Sequence, residues 1–128
     1  MTFTDANNAE AQAAALIQSA NRSLDHHPAS TSACWTQLGS DGSSHSNLAG
    51  GYPGVGAVDS WVYDSGPLGH RRNMLDPSIT TMGFGRIPAS GGFPDRETQL
   101  VLTAPAPARP PVREVTSCGH RRASCRIR

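Results

Sequence analysis

Apolar positions recur at helical spacing near the start of the chain. Ala9, Ala13, Leu16, Ile17, Ala20 and Leu24 fall on one side of a helix, and the spacing predicts a helix from about Asn8 to Leu24 with one apolar face. Asn7 and Glu10 stand at capping-box spacing, with Asn in the place usual for Ser or Thr. Pro28 ends the helix. His26 and His27 fall at its C-terminal exit, where negative partial charge favours a cation or a protonated imidazole. Residues 29–54 lose the period. Ser, Thr, Gly and Ala dominate there, the Cys34-Trp35 pair is the main apolar anchor, and the stretch reads as a long surface excursion closing at SNLAGGYPG. Such a loop in a small domain is as a rule functional or disordered.

The pattern returns at VGAVDSWVYD, residues 55–64, where Val55, Val58, Trp61 and Val62 share a face and predict a second, short helix. Asp64 follows Trp61 by three residues and leans over nearly the same side. Gly66-Pro67 stops this helix. LGHRRNML reads as one further helical turn, Asp76-Pro77 as a turn, and TTMGFGRIP and TQLVLTA as two strands joined by a Gly/Pro loop. After Ala104 no apolar period is left. Residues 105–128 are rich in Pro and Arg, and two readings of them stay open. One is a disordered basic tail. The other is a segment read out of frame that replaces a normal last strand. The predicted organisation is a domain over residues 5–104 followed by this tail.

Composition sharpens that picture. The chain has 128 residues with 13 Gly and 10 Pro, and 37% of positions are apolar, which describes one small, loop-rich domain with a modest core. All 11 basic residues are Arg. Residues 109–128 carry six Arg against Glu114 alone, while the first 108 residues carry five Arg against nine acids. The body is thus mildly acidic, and gives no electrostatic case for nucleic-acid binding. No segment is long or apolar enough to span a membrane. Met1 is followed by polar residues and no signal peptide is visible, which fits a cytoplasmic protein or a chain lacking its true start. The three cysteines, Cys34, Cys118 and Cys125, match no common zinc spacing. Cys34 has no activating His beside it and reads as a core or disulfide cysteine.

Candidate chemistry rests on His26, His27, His45, Asp64 and His70, with His120 in the tail. Two neutral imidazoles can hold a divalent cation, and a carboxylate can orient one ring through its second nitrogen; for such a set zinc is the first expectation. Other chemistries lack their residues. There is no G-x-S-x-G elbow, and GGYPGVG is followed by no Lys and so is no phosphate-binding loop. Arg71 and Arg72 could bind an anion, or cover apolar surface and pair with Asp64 or Asp76.

The order SNLAGG, AVDSW, GHRRNMLDP, TMGFG resembles the CAP superfamily of cysteine-rich secretory, antigen 5 and pathogenesis-related proteins, in its bacterial SCP-domain form. The resemblance spans about residues 5–103 and is most specific over 46–85. It implies an α+β fold, a three-layer α-β-α sandwich with a central cleft, lacking its last strand if the tail replaces it. It also implies a cleft tetrad of two His and two acids, the His pair binding a divalent metal. Position by position, His70 matches the His of the G-H-R segment, His26 best matches the other His with His27 as its rival, and Asp64 matches the acid after the helix Trp. The second acid belongs to a GENIA-like segment, but here HSNLA places Ser46 where the glutamate would be. A serine hydroxyl can hydrogen-bond a water but cannot act as a carboxylate base at neutral pH.

On this resemblance Gly69 brings the backbone close to the cleft floor, His70 points into the cleft, and Arg71 and Arg72 lie at its rim. Asn73 ties the segment down, Met74 and Leu75 anchor it, and the glycines of TMGFG make room for helices above a central strand. The implied function is a secreted, monomeric, extracellular module that binds a ligand or partner at a cleft formed by His26, Ser46, Asp64 and His70, with zinc on His26 and His70. Three alternatives accompany it: a metal-dependent hydrolase with Asp64 as catalytic base, a lipid or sterol carrier, and a truncated or frame-shifted fragment without function of its own.

Overall fold

The structure is a computed structural model that describes residues 2–52, 55–64, 66, 69–90, 96–102, 115–118 and 125–127. The first helix, α1, runs from Asp5 to Asn21, three residues earlier at each end than the apolar period suggested. Its N-cap is Thr4, whose Oγ1 accepts the Asn7 N–H at 3.2 Å, so the Asn7/Glu10 capping box does not form and both residues are buried inside the helix. It ends where Arg22 turns left-handed (φ 53°) and donates back to Gln18 and Ser19; Leu24 lies beyond it and is 49% exposed. After α1, residues 29–54 are not one loop. Thr36 caps a second helix, α2 (Gln37–His45), and a strand, β2 (Ser46–Gly50), follows at once. Helix α3 (Val55–Val62), helix α4 (Gly69–Leu75), and strands β3 (Thr81–Ile87) and β4 (Arg96–Leu102) then follow as the pattern predicts. A short strand, β1 (Thr2–Phe3), precedes α1.

The four strands form one sheet in the order β1-β3-β4-β2. β4 pairs antiparallel with both β3 and β2, and β1 pairs parallel with β3. Alternation along β3 sends neighbouring residues to opposite faces. Gly83 and Gly85 meet α1, where an added Cβ would lie 2.2 Å from Asn7 and 2.3 Å from Ala11. Phe84, on the other face, packs edge-on against Trp61 of α3, with ring centroids 6.5 Å apart. Helices thus cover both faces, and the α+β fold with three layers predicted from the resemblance is present, its TMGFG strand inside the sheet and its glycines under a helix.

Two small cores follow. On one face α1 presents Ala11, Ala14 and Ala15, all at 0% exposure, beside Leu16 and Ile17; alanine lets the helix lie close to the glycines of β3. On the other face Trp61 and Ala57 pack with Ala49 of β2, flanked by Val58, Met74 and Phe84. Beyond its short pairing with β1, which reaches only Met82, the outer edge of β3 is closed by side chains rather than by a strand. Asn8 Oδ1 accepts the Phe84 N–H at 3.0 Å, and the Gln12 amide both accepts from Arg86 N (2.9 Å) and donates to Arg86 O (3.1 Å). Four helical residues rise about 6 Å, close to the roughly 6.7 Å of two strand residues, so residues four apart on α1 reach amides two apart on β3. This protects an edge that would otherwise invite pairing with another chain.

Cys34 is half-buried and disulfide-bonded, as one of its two readings held. Trp35 donates its indole N–H to Pro28 O at 3.2 Å. Within the tail, β5 (Val115–Cys118) and β6 (Cys125–Ile127) pair antiparallel in a sheet of their own. The other tail residues, His120 among them, lie outside the described residues, and the boundary at residue 104 remains a reading of the sequence. Among the described residues no helix is long and apolar enough to cross a membrane.

Candidate functional site

Three elements converge on one open cavity of about 580 Å³. The loop after α1 brings His26 and His27, the α2–β2 junction brings His45 and Ser46, and the start of α4 brings His70 with Asp64 beside it. The four cleft residues expected from the resemblance therefore line a single cavity, and His27 and His45 line it too.

The position of α2 depends on glycine. Gly39 and Gly42 sit against α1, where an added Cβ would lie 2.6 Å from Ile17 and 2.7 Å from the Glu10 carbonyl. The close approach sets the last turn of α2 beside His26, whose Nδ1 is 2.8 Å from the Ser43 carbonyl oxygen. A carbonyl only accepts, so Nδ1 carries the proton and the Nε2 lone pair is left uncommitted. Ser43 is itself fixed: it is fully buried, donates to Gly39 O and accepts from the Gln18 amide. His45 directs its Nδ1 at the Asp41 carbonyl one turn back (2.9 Å). His27 contributes its backbone N–H to Asp25 Oδ1.

His70 is held from two sides. Asp64 Oδ2 lies 3.5 Å from its Nδ1 and 3.3 Å from its backbone N, while Asp64 Oδ1 accepts the Gly66 N–H. The carboxylate side chain is only 16% exposed and the imidazole 40%, so Asp64 sits as a fixed partner on the Nδ1 side of a partly exposed ring. From below, Asn47 of β2 donates to the His70 carbonyl at 3.3 Å and accepts from the Asn73 amide at 3.0 Å. Asn47 is 1% exposed. Its role was not expected from the sequence, although Asn is a poor strand former and within a strand signals a polar partner. Asn73 does tie the segment down, as expected, and its anchor is this strand residue.

Other expectations fail. Gly69 meets nothing within 4 Å of an added Cβ, so no close backbone approach requires glycine there. Leu75 is 63% exposed and does not anchor α4; Met74 alone packs on the Trp61 cluster. Ser46 is buried with its hydroxyl donated to the Gly42 carbonyl of α2, which commits it to closing the helix.

The donor set suits a metal only in a limited way. Among the described residues no group of three His, Cys, Asp or Glu is placed to hold an ion. Two imidazoles, His26 and His70, do line the same cavity, His26 with Nδ1 hydrogen-bonded to Ser43 O and His70 with Nδ1 3.5 Å from Asp64 Oδ2, which suits a site completed by water.

A model of the cysteine-rich secretory protein family, CAP, matches residues 4–99. No curated protein and no solved structure matches the chain.

Proposed function

Because the chain belongs to the cysteine-rich secretory protein (CAP) family, we propose that it works outside the cell as a binding module whose cleft holds a divalent metal, zinc first, on His26 and His70. The observation that carries this reading is that both imidazoles line one cavity, each with a protein oxygen beside its Nδ1: Ser43 O hydrogen-bonded at 2.8 Å to His26, and Asp64 Oδ2 at 3.5 Å from His70. His26 is preferred to His27 because a protein acceptor orients its ring. A bound ion would supply a Lewis-acidic point for an oxygen or nitrogen of a ligand. The chain's own part is to fix the two rings, through Ser43 on one side and Asp64 with Asn47 on the other. A binding role is favoured over hydrolysis because the Ser46 hydroxyl is committed to Gly42 and both Asp64 oxygens already accept protein N–H groups.

The test is a calorimetric zinc titration at about pH 7.5, above the usual imidazole pKa of about 6.5. One-to-one binding in the wild type, lost in both His26→Ala and His70→Ala, supports the proposal. Binding that survives either substitution contradicts it.

A further inference from the structure

A second cavity, of about 550 Å³, lies along α4 next to the histidine cleft and is lined by Arg71, Arg72, Leu75 and Asp76. Gly69 and Asn73 line both cavities, so the two adjoin along α4. In an acidic body, with five Arg against nine acids over residues 1–108, two arginines lining one cavity are an exception. Neither forms a hydrogen bond or a contact ion pair with a described residue, whereas Arg22 and Arg86 are engaged elsewhere. Asp76 makes no contact ion pair with either: its Oδ1 accepts both the N–H (2.8 Å) and the O–H (2.6 Å) of Ser78, and Arg72 acts on it through space. Both arginines are exposed and present planar forks that fit a carboxylate in bidentate fashion. The floor between them and solvent includes Leu75, 63% exposed, an apolar surface beside the charges.

We infer that Arg71 and Arg72 form a carboxylate-binding subsite for an extended acidic peptide that runs on across Gly69 and Asn73 into the histidine cleft. Carboxylate is favoured over phosphate because Asp76, negative and in the same cavity, repels a dianion more strongly than a monoanion. The inference shares the cleft of the proposed function but does not depend on a metal.

The test is fluorescence anisotropy of a labelled hexaglutamate peptide with the full chain at low salt. The wild type binds it saturably and leaves labelled hexaglutamine free. Arg71→Gln/Arg72→Gln weakens binding by about tenfold or more, and Arg71→Lys/Arg72→Lys retains part of the affinity, since charge survives and the fork does not. Unchanged zinc titration and melting temperature in the Gln variant would show that the fold and the metal reading are untouched. Equal affinity in wild type and Gln variant overturns the inference and assigns the peptide to the Arg-rich tail. Absence of binding by the wild type overturns it as well. Inorganic phosphate displacing the peptide better than acetate at equal concentration overturns the choice of carboxylate. If the wild type takes no zinc yet discriminates the two peptides through Arg71 and Arg72, the metal proposal fails and this one stands.

Discussion

Replacing Gly83 with alanine places a methyl group 2.2 Å from both the carbonyl carbon and oxygen of Asn7 and 2.6 Å from Asn8 N. These are backbone atoms of α1, so no side chain can swing away. Ordinary contact begins near 3.4 Å, which requires α1 to retreat by 3.4 − 2.2 = 1.2 Å at this point. A retreat of that size stretches the Asn8–Phe84 bond from 3.0 Å to beyond hydrogen-bonding range and strains the Gln12 pair one turn on. Overpacking of this kind costs about 1–3 kcal/mol, and each bond lost adds about 1 kcal/mol, giving about 2–5 kcal/mol together. For a domain whose total stability is of order 5–15 kcal/mol that is a large share. Urea unfolding followed by the fluorescence of buried Trp61 should show a midpoint lowered by about 1 M or more, at a slope of about 1–2 kcal/mol/M. Gly69→Ala is the control: its Cβ meets nothing, and stability should change by no more than about 0.5 kcal/mol, upward if at all. A Gly83→Ala protein that unfolds with the wild type would refute the claim that α1 rests on the strand backbone.

Two further outcomes follow from side chains at the edge of the site. Ser46→Ala should lower stability by about 1 kcal/mol, the worth of its hydrogen bond to Gly42, while zinc affinity by calorimetry stays unchanged. Asp76 is held below the usual 3.8 by the side-chain and backbone hydrogen bonds from Ser78, with Arg72 helping. A depressed carboxylate stabilises the fold above its unfolded pKa, and that contribution is lost as pH falls through the lowered folded value; Ser78→Ala removes the hydroxyl bond and keeps the backbone one, so it should raise the Asp76 pKa part of the way toward 3.8, read by NMR titration, and weaken that acid-side dependence.

Periodic apolar faces made α1, α3, β3 and β4 legible, because their partners are flat and their apolar residues regular. The α1 ends drifted because caps, Thr4 and Arg22, fix them. Helix α2 was illegible for a physical reason. Its sequence, QLGSDGSSH, carries weak helix formers, and the face it turns to α1 is glycine because the α1 backbone leaves no room for a side chain. A contact made by absence of side chains leaves no apolar period to read. In the site, the partnership of Asp64 with His70 could be anticipated from order along the chain. The hold of Asn47 on α4 and of Ser43 on His26 could not, since both join residues far apart in sequence through polar groups in buried positions. Leu75 misled because one apolar residue at a helix end says nothing of which side it faces.

In the proposed site the two rings are held with Nδ1 protonated and Nε2 presented to one cleft. Long-range proton–nitrogen NMR of the imidazoles at about pH 7.5, without and with one equivalent of zinc, tests it directly. A pyrrole-type Nδ1 and a pyridine-type Nε2 are expected for His26 and His70, with a zinc-induced shift at both Nε2 atoms. An Nε2-protonated tautomer in either ring, or Nε2 signals that ignore zinc, would contradict it.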